Sequence, residues 1–325
     1  MYRYIYLYVI CCCKILPCRE EIAPCIELND GNKIPMVALG TGRGTAHGKP
    51  KDEVRDATLW AIESGYRHID TAAIYQDETE VGQGIADAIA KSIVTRDQLF
   101  VTTKLWSDRH ARDQVVPALK ESLQRLGLDY VDLYLVHFPV AIKSDGSADT
   151  IDYLDTWKGM EDAKKQGLAR SIGVSNFNKT QIDRLIANSK VKPVINQIEV
   201  NPTMTQLPLV LHCQNLGVAV MGYSPFGFVV ARQSDHAPPP RAEDPVLAAM
   251  AQKYNKTATQ IVLRYLIERG IIPIPKSTNK ERIAQNIDLF DFKLTREEIK
   301  AISDFNKDIR VIGMAHWKEY PNFPF

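Results

Sequence analysis

Two hydrophobic periods take turns along this chain: a short continuous apolar run, then a stretch in which apolar residues return about every three to four positions. The first run covers residues 36–39 and is closed by Gly40. Residues 53–64 follow with Val54, Ala57, Ala61 and Ile62 at helical spacing, and Gly65 supplies the stop. The same strand-then-helix unit recurs at 66–69 and 78–90, 99–103 and 114–126, 131–136 and 153–165, and 170–174 and 179–188. It continues at 194–198 and 206–216, 218–222 and 245–267, and 271–274 and 280–287. Strands alternating with helices pair in parallel through right-handed crossovers, so the sheet is either open and doubly wound or closed into a barrel. Eight repeats, with strand runs of only about four to six residues, predict closure: a (β/α)8 TIM barrel of the α/β class with its interior filled by side chains.

The segments outside the repeat have their own patterns. Residues 26–34 alternate apolar and polar around Asp30-Gly31, which predicts an N-terminal β-hairpin cap. Residues 294–305 predict an extra C-terminal helix, and 316–325, with Trp317, Tyr320, Phe323 and Phe325, form an aromatic tail without periodicity. Residues 232–244, holding Pro238, Pro239 and Pro240, read as a long surface loop after the seventh strand. Residues 25–325 are thus expected to form one domain. Residues 1–24 differ: they are apolar and rich in cysteine, and 4–13 is an uncharged run of signal-peptide length, too short to span a bilayer. Against a signal peptide, Lys14 interrupts the run, the basic leader is only Arg3, and no small-x-small cleavage site follows. A cytoplasmic location is expected, with secretion as the alternative. In a secreted product Asn178-Lys179-Thr180 and Asn255-Lys256-Thr257 would be glycosylation sequons.

Composition narrows the partner. The chain has 325 residues, 45% of them hydrophobic, enough for one large core. Its 40 basic and 39 acidic side chains leave a net charge of +1 with no lysine or arginine stripe, which argues against nucleic acid or a membrane surface and for a small-molecule ligand. A monomer is expected. Five cysteines, Cys11, Cys12, Cys13, Cys18 and Cys25, precede the first convincing strand, so Cys213 stands alone and no disulfide framework is expected beyond them. The histidines include no pair spaced four apart with a glutamate, and no metal is expected; His68, His110 and His212 read as structural polar positions.

The informative polar residues sit at the carboxyl ends of the strands, where a barrel builds its active site. They are Asp70, Lys104, His137, Ser175-Asn176, Gln197, Tyr223-Ser224 and Lys276-Ser277, with Tyr75 in the loop after Asp70. One polar strand terminus is ordinary, but ionisable or polar residues at the same edge of seven successive strands are hard to reach by accident. Reducing a carbonyl needs a hydride at carbon and a proton at oxygen, and a phenol of pKa about 10 donates poorly unless its anion is stabilised. Lys104 beside Tyr75 can do that, Asp70 keeps the ammonium charged and aimed, and His137 can donate to the substrate oxygen. Gly40-Thr41-Gly42-Arg43-Gly44 is not G-x-G-x-x-G, so a Rossmann site is excluded. No tyrosine has a lysine four residues on, which excludes the Tyr-x-x-x-Lys reductases. Lys276, Ser277 and Arg282 place two cations and a hydroxyl around the start of the eighth helix, a site suited to an extra phosphate on an adenosine ribose.

Several separated stretches, residues 65–72, Lys104-Leu105-Trp106, 133–137, 173–177, Asn196-Gln197 and 274–277 followed by Arg282 and Asn286, resemble the aldo-keto reductase signatures in order. The resemblance runs from about residue 25 to about residue 306 and is similar to the insect branch that includes 3-dehydroecdysteroid reductases. It implies NADPH-dependent carbonyl reduction by the tetrad Tyr75, Asp70, Lys104 and His137. It implies a cofactor held by Thr41, Gly42, Asp70, Ser175, Asn176, Gln197, Tyr223, Ser224, Phe226, Lys276, Ser277, Thr278, Arg282, Gln285 and Asn286. In that arrangement Tyr223 stacks under the nicotinamide, Ser175, Asn176 and Gln197 hold its carboxamide, and the 224–244 loop closes over the pyrophosphate. Tyr75, Trp106, His137, Phe138 and Trp317 would line the substrate pocket. Phe138 stands where many relatives carry tryptophan and Gly42 where an aromatic often walls the pocket. With Phe226 and Phe228 enlarging the aromatic loop, a roomy mouth fit for a bulky ketone is expected. The alternatives are a general aldehyde reductase and a non-catalytic nucleotide-binding barrel.

Overall fold

The computed structural model describes residues 23–42, 52–232, 238–239 and 241–325. The hydrophobic run and cysteines of residues 4–18, Arg43 and Gly44, and most of the loop before Pro238 lie outside the described residues. A hairpin of β1 (Cys25–Glu27) and β2 (Lys33–Pro35) pairs antiparallel, with Ile26 opposite Ile34 and the turn at Gly31. Cys25 therefore belongs to the first strand rather than preceding it.

Eight parallel strands follow: β3 (Leu39–Gly40), β4 (His68–Asp70), β5 (Phe100–Leu105), β6 (Val131–Val136), β7 (Ala169–Ser175), β8 (Ile195–Glu199), β9 (Ala219–Tyr223) and β10 (Ile271–Pro273). They pair in sequence order. The two outer strands meet as well: Ala38 N–H donates to Pro273 O at 3.2 Å, Gly40 N–H donates to Pro275 O at 3.0 Å, and Gly40 bridges Lys276. This closes the predicted barrel, so β3 and β10 are not open edges. The first strand is shorter and later than its apolar run, because the Met36 N–H is used on Pro24 O at 2.9 Å, inside the hairpin cap.

The helices are α1 (Glu53–Glu63), α2 (Glu78–Ala90), α3 (Arg112–Leu126), α4 (Tyr153–Lys165), α5 (Lys179–Asn188), α6 (Leu207–Asn215), α7 (Pro245–Tyr254), α8 (Ala258–Glu268), α9 (Lys280–Ile287) and α10 (Arg296–Ser303). The single helix expected over 245–267 is two helices. Asn255 takes the left-handed conformation at φ 52° and ends α7, and Thr257 with Gln260 forms a reciprocal cap that starts α8. A capping box at Thr295 and Glu298 likewise shortens the extra C-terminal helix to α10. Close packing of α2 on α1 depends on Gly84, where a Cβ would come within 2.6 Å of Arg55 O.

Register sets the chemistry. Asp70 lies opposite Gly40 and Thr102, Lys104 opposite Leu135, Ser175 opposite Gln197, and Glu199 opposite Tyr223, so these residues share one end of the barrel. A small separate apolar cluster, Phe138, Val140 and Trp317, sits at the mouth, with Trp106, Ile142, Met314, Tyr320 and Phe323 packed against it.

Candidate active site

The carboxyl ends of β4 and β5 place Asp70 and Lys104 side by side, both sealed from solvent. The Lys104 ammonium donates to Asp70 Oδ1 at 2.6 Å and to the Thr71 carbonyl at 2.8 Å, and it reaches the Tyr75 hydroxyl at 3.5 Å. Asp70 Oδ2 accepts from Gln197 Nε2 at 2.8 Å. An enclosed ion pair is tolerable only when its remaining donors and lone pairs are met, and Thr71 and Gln197 meet them here. Burial works to discharge Lys104, but the Asp70 charge and the Tyr75 oxygen outweigh it and hold its pKa above the usual lysine value.

Tyr75 is half-buried and rides on a single helical turn, residues 73–75, that follows β4. Burial raises its pKa above 10, and Lys104 opposes that rise without reversing it. The expected lowering by Lys104 is present, but burial outweighs it and the net shift is upward. A protonated phenol with an ammonium at its oxygen is an acid whose conjugate base has a waiting counter-charge.

His137 stands edge-on to Tyr75 at 5.7 Å between ring centroids and edge-on to Trp106 at 5.2 Å. Its Nδ1 is enclosed without a partner, and burial, reinforced by Lys104, pushes its pKa well below 6.5. The ring is thus neutral and carries one N–H. Its backbone carbonyl accepts from Asn176 Nδ2 at 2.9 Å, which ties the imidazole's strand end to that of β7.

Ser175, Asn176, Gln197 and Tyr223 lie together as expected, and they are bonded to one another. Ser175 Oγ donates to Gln197 O at 2.8 Å, and the Tyr223 hydroxyl donates to Asn176 Oδ1 at 2.7 Å. Gln197, expected on a cofactor amide, holds Asp70; this second role is set by register, since β7 and β8 aim it into the barrel toward Asp70. The Thr71 carbonyl and Glu199 were missed by sequence reasoning. A backbone oxygen leaves no side-chain signal, whereas Glu199, the charged residue that ends β8, could have been singled out.

After the carboxyl end of β10, Ser277 is buried, Asn279 caps α9 by accepting from Arg282 N at 2.9 Å, and Asn286 is buried along the helix. Lys276 and Arg282 are exposed, and neither has a carboxylate partner among the described residues. Two unpaired cations and a hydroxyl at a capped helix start are the donor set that a phosphate monoester requires. Thr278 is half-buried and Gln285 exposed in the same segment. Thr41, by contrast, donates its hydroxyl to Asp77 Oδ1 at 3.3 Å.

Two expectations for the pocket are overturned. Gly42 lies on the Tyr75 ring: a Cβ there would meet Cζ at 3.1 Å, so its smallness makes room for the phenol rather than for substrate. Phe226 and Phe228 turn inward, Phe228 being buried and Phe226 packing between the two main core clusters, because the loop after β9 is itself folded onto the barrel. The mouth is also less open than expected. Trp317 is only 3% exposed and meets Trp106 at 5.6 Å and Phe138 at 5.4 Å, so the tail covers the aromatic wall.

A barrel closed in this way, with a buried lysine–aspartate pair under a tyrosine and a neutral histidine at its carboxyl end, defines a reductase of the barrel type. Residues 36–307 match the model of the aldo/keto reductase family, and the chain belongs to that family. It is 71% identical to aldo-keto reductase AKR2E4 of Bombyx mori over 93% of this chain and 98% of that one. It is 41% identical to estradiol 17 beta-dehydrogenase 5 of Mus musculus over 92% of this chain and 97% of the relative. The crystal structure of the Bombyx mori AKR2E4 protein in complex with NADP superposes with a TM-score of 0.91, covering 93% of this chain and 99% of that one.

Proposed function

We propose that residues 25–325 act as one unit that reduces aldehydes and ketones to alcohols with NADPH, Tyr75 being the proton donor. The observation that carries this reading is the ammonium of Lys104 held between Asp70 Oδ1 and the Tyr75 hydroxyl. NADPH, when bound, supplies the hydride; Lys276, Ser277 and Arg282 fit its 2′-phosphate, and Tyr223 with Asn176 fits the nicotinamide end. The substrate carbonyl oxygen is received between the Tyr75 hydroxyl and the His137 ring, which donates its N–H as negative charge grows there. Tyr75 then gives up its proton, and Lys104 stabilises the phenolate left behind. Asp70 keeps Lys104 charged, and Gln197 and Thr71 keep Asp70 and Lys104 in place.

A bulky apolar ketone such as a 3-oxo steroid is the substrate class that fits Trp106, Phe138 and Trp317, since burying its faces at roughly 25 cal/mol per Å² favours it over a short aldehyde. The likeness to a mouse estradiol dehydrogenase supports this over a general aldehyde reductase. We also infer a cytoplasmic monomer. Cys213 is a free buried thiol, Asn178 of the first sequon is engaged in capping α5, and among the described residues no helix is long and apolar enough to cross a membrane. The test is to mix purified full-length protein with NADPH and a panel from 4-nitrobenzaldehyde to a 3-oxo steroid and follow nicotinamide absorbance. Turnover is expected across the panel; none on any carbonyl rules out the enzyme in favour of a binding barrel.

A further inference from the structure

Glu199 ends β8 beside the site, yet nothing in the chemistry above uses it. Its carboxylate is fully buried and faces away from Lys104 toward the C-terminal segment. Oε1 accepts from Val311 N at 2.7 Å and from Asn201 Nδ2 at 3.2 Å, and Oε2 accepts from Ile312 N at 2.9 Å. Among the described residues no lysine, arginine or histidine pairs with it directly, although Arg232 and Arg310 both lie close enough to feel its charge. A buried carboxylate without a salt bridge is retained only where its acceptors are needed.

The hydrogen bonds of the tail show the need. From α10 the chain is stitched to the loop after β8 by Thr205 N–H on Asn306 Oδ1 at 2.9 Å and Lys307 N–H on Thr203 O at 3.1 Å, and then by the two Glu199 bonds. The far end is held by Gln181 Nε2 on Asn322 O at 2.8 Å and Asn178 Nδ2 on Pro324 O at 3.3 Å. Between these ends the tail meets the barrel through the packing of Trp317 on Trp106 and Phe138, and the Tyr320 hydroxyl donates to Gly146 O at 3.2 Å. Arg310 closes the loop on itself, its guanidinium lying 3.7 Å over the Phe325 ring.

We propose that Glu199 is a positioning residue that latches the 310–325 segment over the mouth and so sets the enzyme's discrimination between bulky ketones and short aldehydes. The substrate half of this proposal rests on the function proposed above; the latch itself does not. Tyr75, Lys104 and Asp70 lie on other elements, while Gln197, which holds Asp70, shares β8 with Glu199, so kcat for a short aldehyde reads whether loosening the latch reaches the proton transfer.

The test compares full-length wild type, Glu199→Gln and Glu199→Ala by hydrogen–deuterium exchange and by kinetics with NADPH. In Glu199→Ala, amides of 311–320 are expected to exchange at least about tenfold faster while those of 66–70 and 100–105 stay unchanged. Glu199→Gln should fall between, because its amide keeps one acceptor oxygen, and it decides the comparison if the alanine variant does not fold. With Glu199→Ala the KM for a 3-oxo steroid should rise about tenfold while kcat for 4-nitrobenzaldehyde stays within about threefold. Exchange in 311–320 that does not change, exchange that rises throughout the barrel, or equal loss of kcat on both carbonyls overturns the latch. If the wild type turns over the aldehyde but not the steroid, the substrate reading falls and the exchange pattern still decides the role of Glu199.

Discussion

The acid–base cluster and the aromatic cover meet at His137, yet different forces hold them. Around Lys104 each contact is directional: Asp70 Oδ1 at 2.6 Å, Thr71 O at 2.8 Å, and Gln197 on the far carboxylate oxygen at 2.8 Å, all within enclosed strand ends. The cover consists mainly of rings, with Trp317, Trp106 and Phe138 at centroid separations of 5.4 to 6.3 Å and few hydrogen bonds to the barrel, among them Tyr320 on Gly146 O at 3.2 Å. Buried charge-assisted bonds lose most of their worth with a small misplacement, whereas apolar contacts can repack around a change of shape. The cluster can therefore specify a reaction and the cover can only bias a substrate. Losses at the cluster should be large and independent of substrate; losses at the cover should be modest and substrate-dependent.

The largest effect tests the first half. Tyr75→Phe keeps the ring against His137 and Gly42 and removes only the proton donor. It should lower kcat about 10²–10⁴-fold on short and bulky carbonyls alike, with NADPH affinity measured by fluorescence titration unchanged. Retained turnover, or a loss confined to one substrate, would break the distinction between cluster and cover.

The cofactor rim lies between these extremes, since its cations are exposed and flexible but aimed at one group. Lys276→Met and Arg282→Ala should each raise the KM for NADPH about tenfold or more and leave that for NADH nearly constant, as only the 2′-phosphate loses a partner. An equal shift for both cofactors would remove these residues from the phosphate site.

The same contrast explains what could be read from sequence. The barrel was legible because its hydrophobic periods switch from continuous to helical eight times, and the tetrad because Asp70, Lys104 and His137 each end one such run, with Tyr75 in the loop after Asp70. The break between α7 and α8 was not, since Asn255-Lys256-Thr257 interrupts no apolar period and acts through a left-handed turn and a cap. Nor was the inward turn of Phe226 and Phe228, or the seat of Trp317, because an aperiodic aromatic segment carries no signal of what it packs on. Lys104 against Tyr75 shows a subtler gap. The residues foretell an attraction that lowers the phenol pKa, but only the enclosed geometry shows that burial outweighs it.

Gly42 separates the two regions most finely, with the smallest expected effect. As a pocket wall, a larger residue there would narrow the mouth and penalise bulky ketones alone. The structure places it over the phenol instead, where a Cβ would lie 3.1 Å from Tyr75 Cζ, 3.2 Å from Cε2 and 3.4 Å from Cε1. Those contacts are close enough to push the ring by a few tenths of an ångström, and the hydroxyl it carries is already at the limit of hydrogen-bond reach from Lys104, at 3.5 Å. A displacement of that order costs about 0.5–1.5 kcal/mol, or roughly 2–10-fold in rate. Gly42→Ala should therefore lower kcat by that modest factor for 4-nitrobenzaldehyde and for a 3-oxo steroid equally, with the KM for NADPH unchanged. A steroid-selective rise in KM with an unaltered aldehyde kcat would instead return Gly42 to the pocket wall and assign it to the cover.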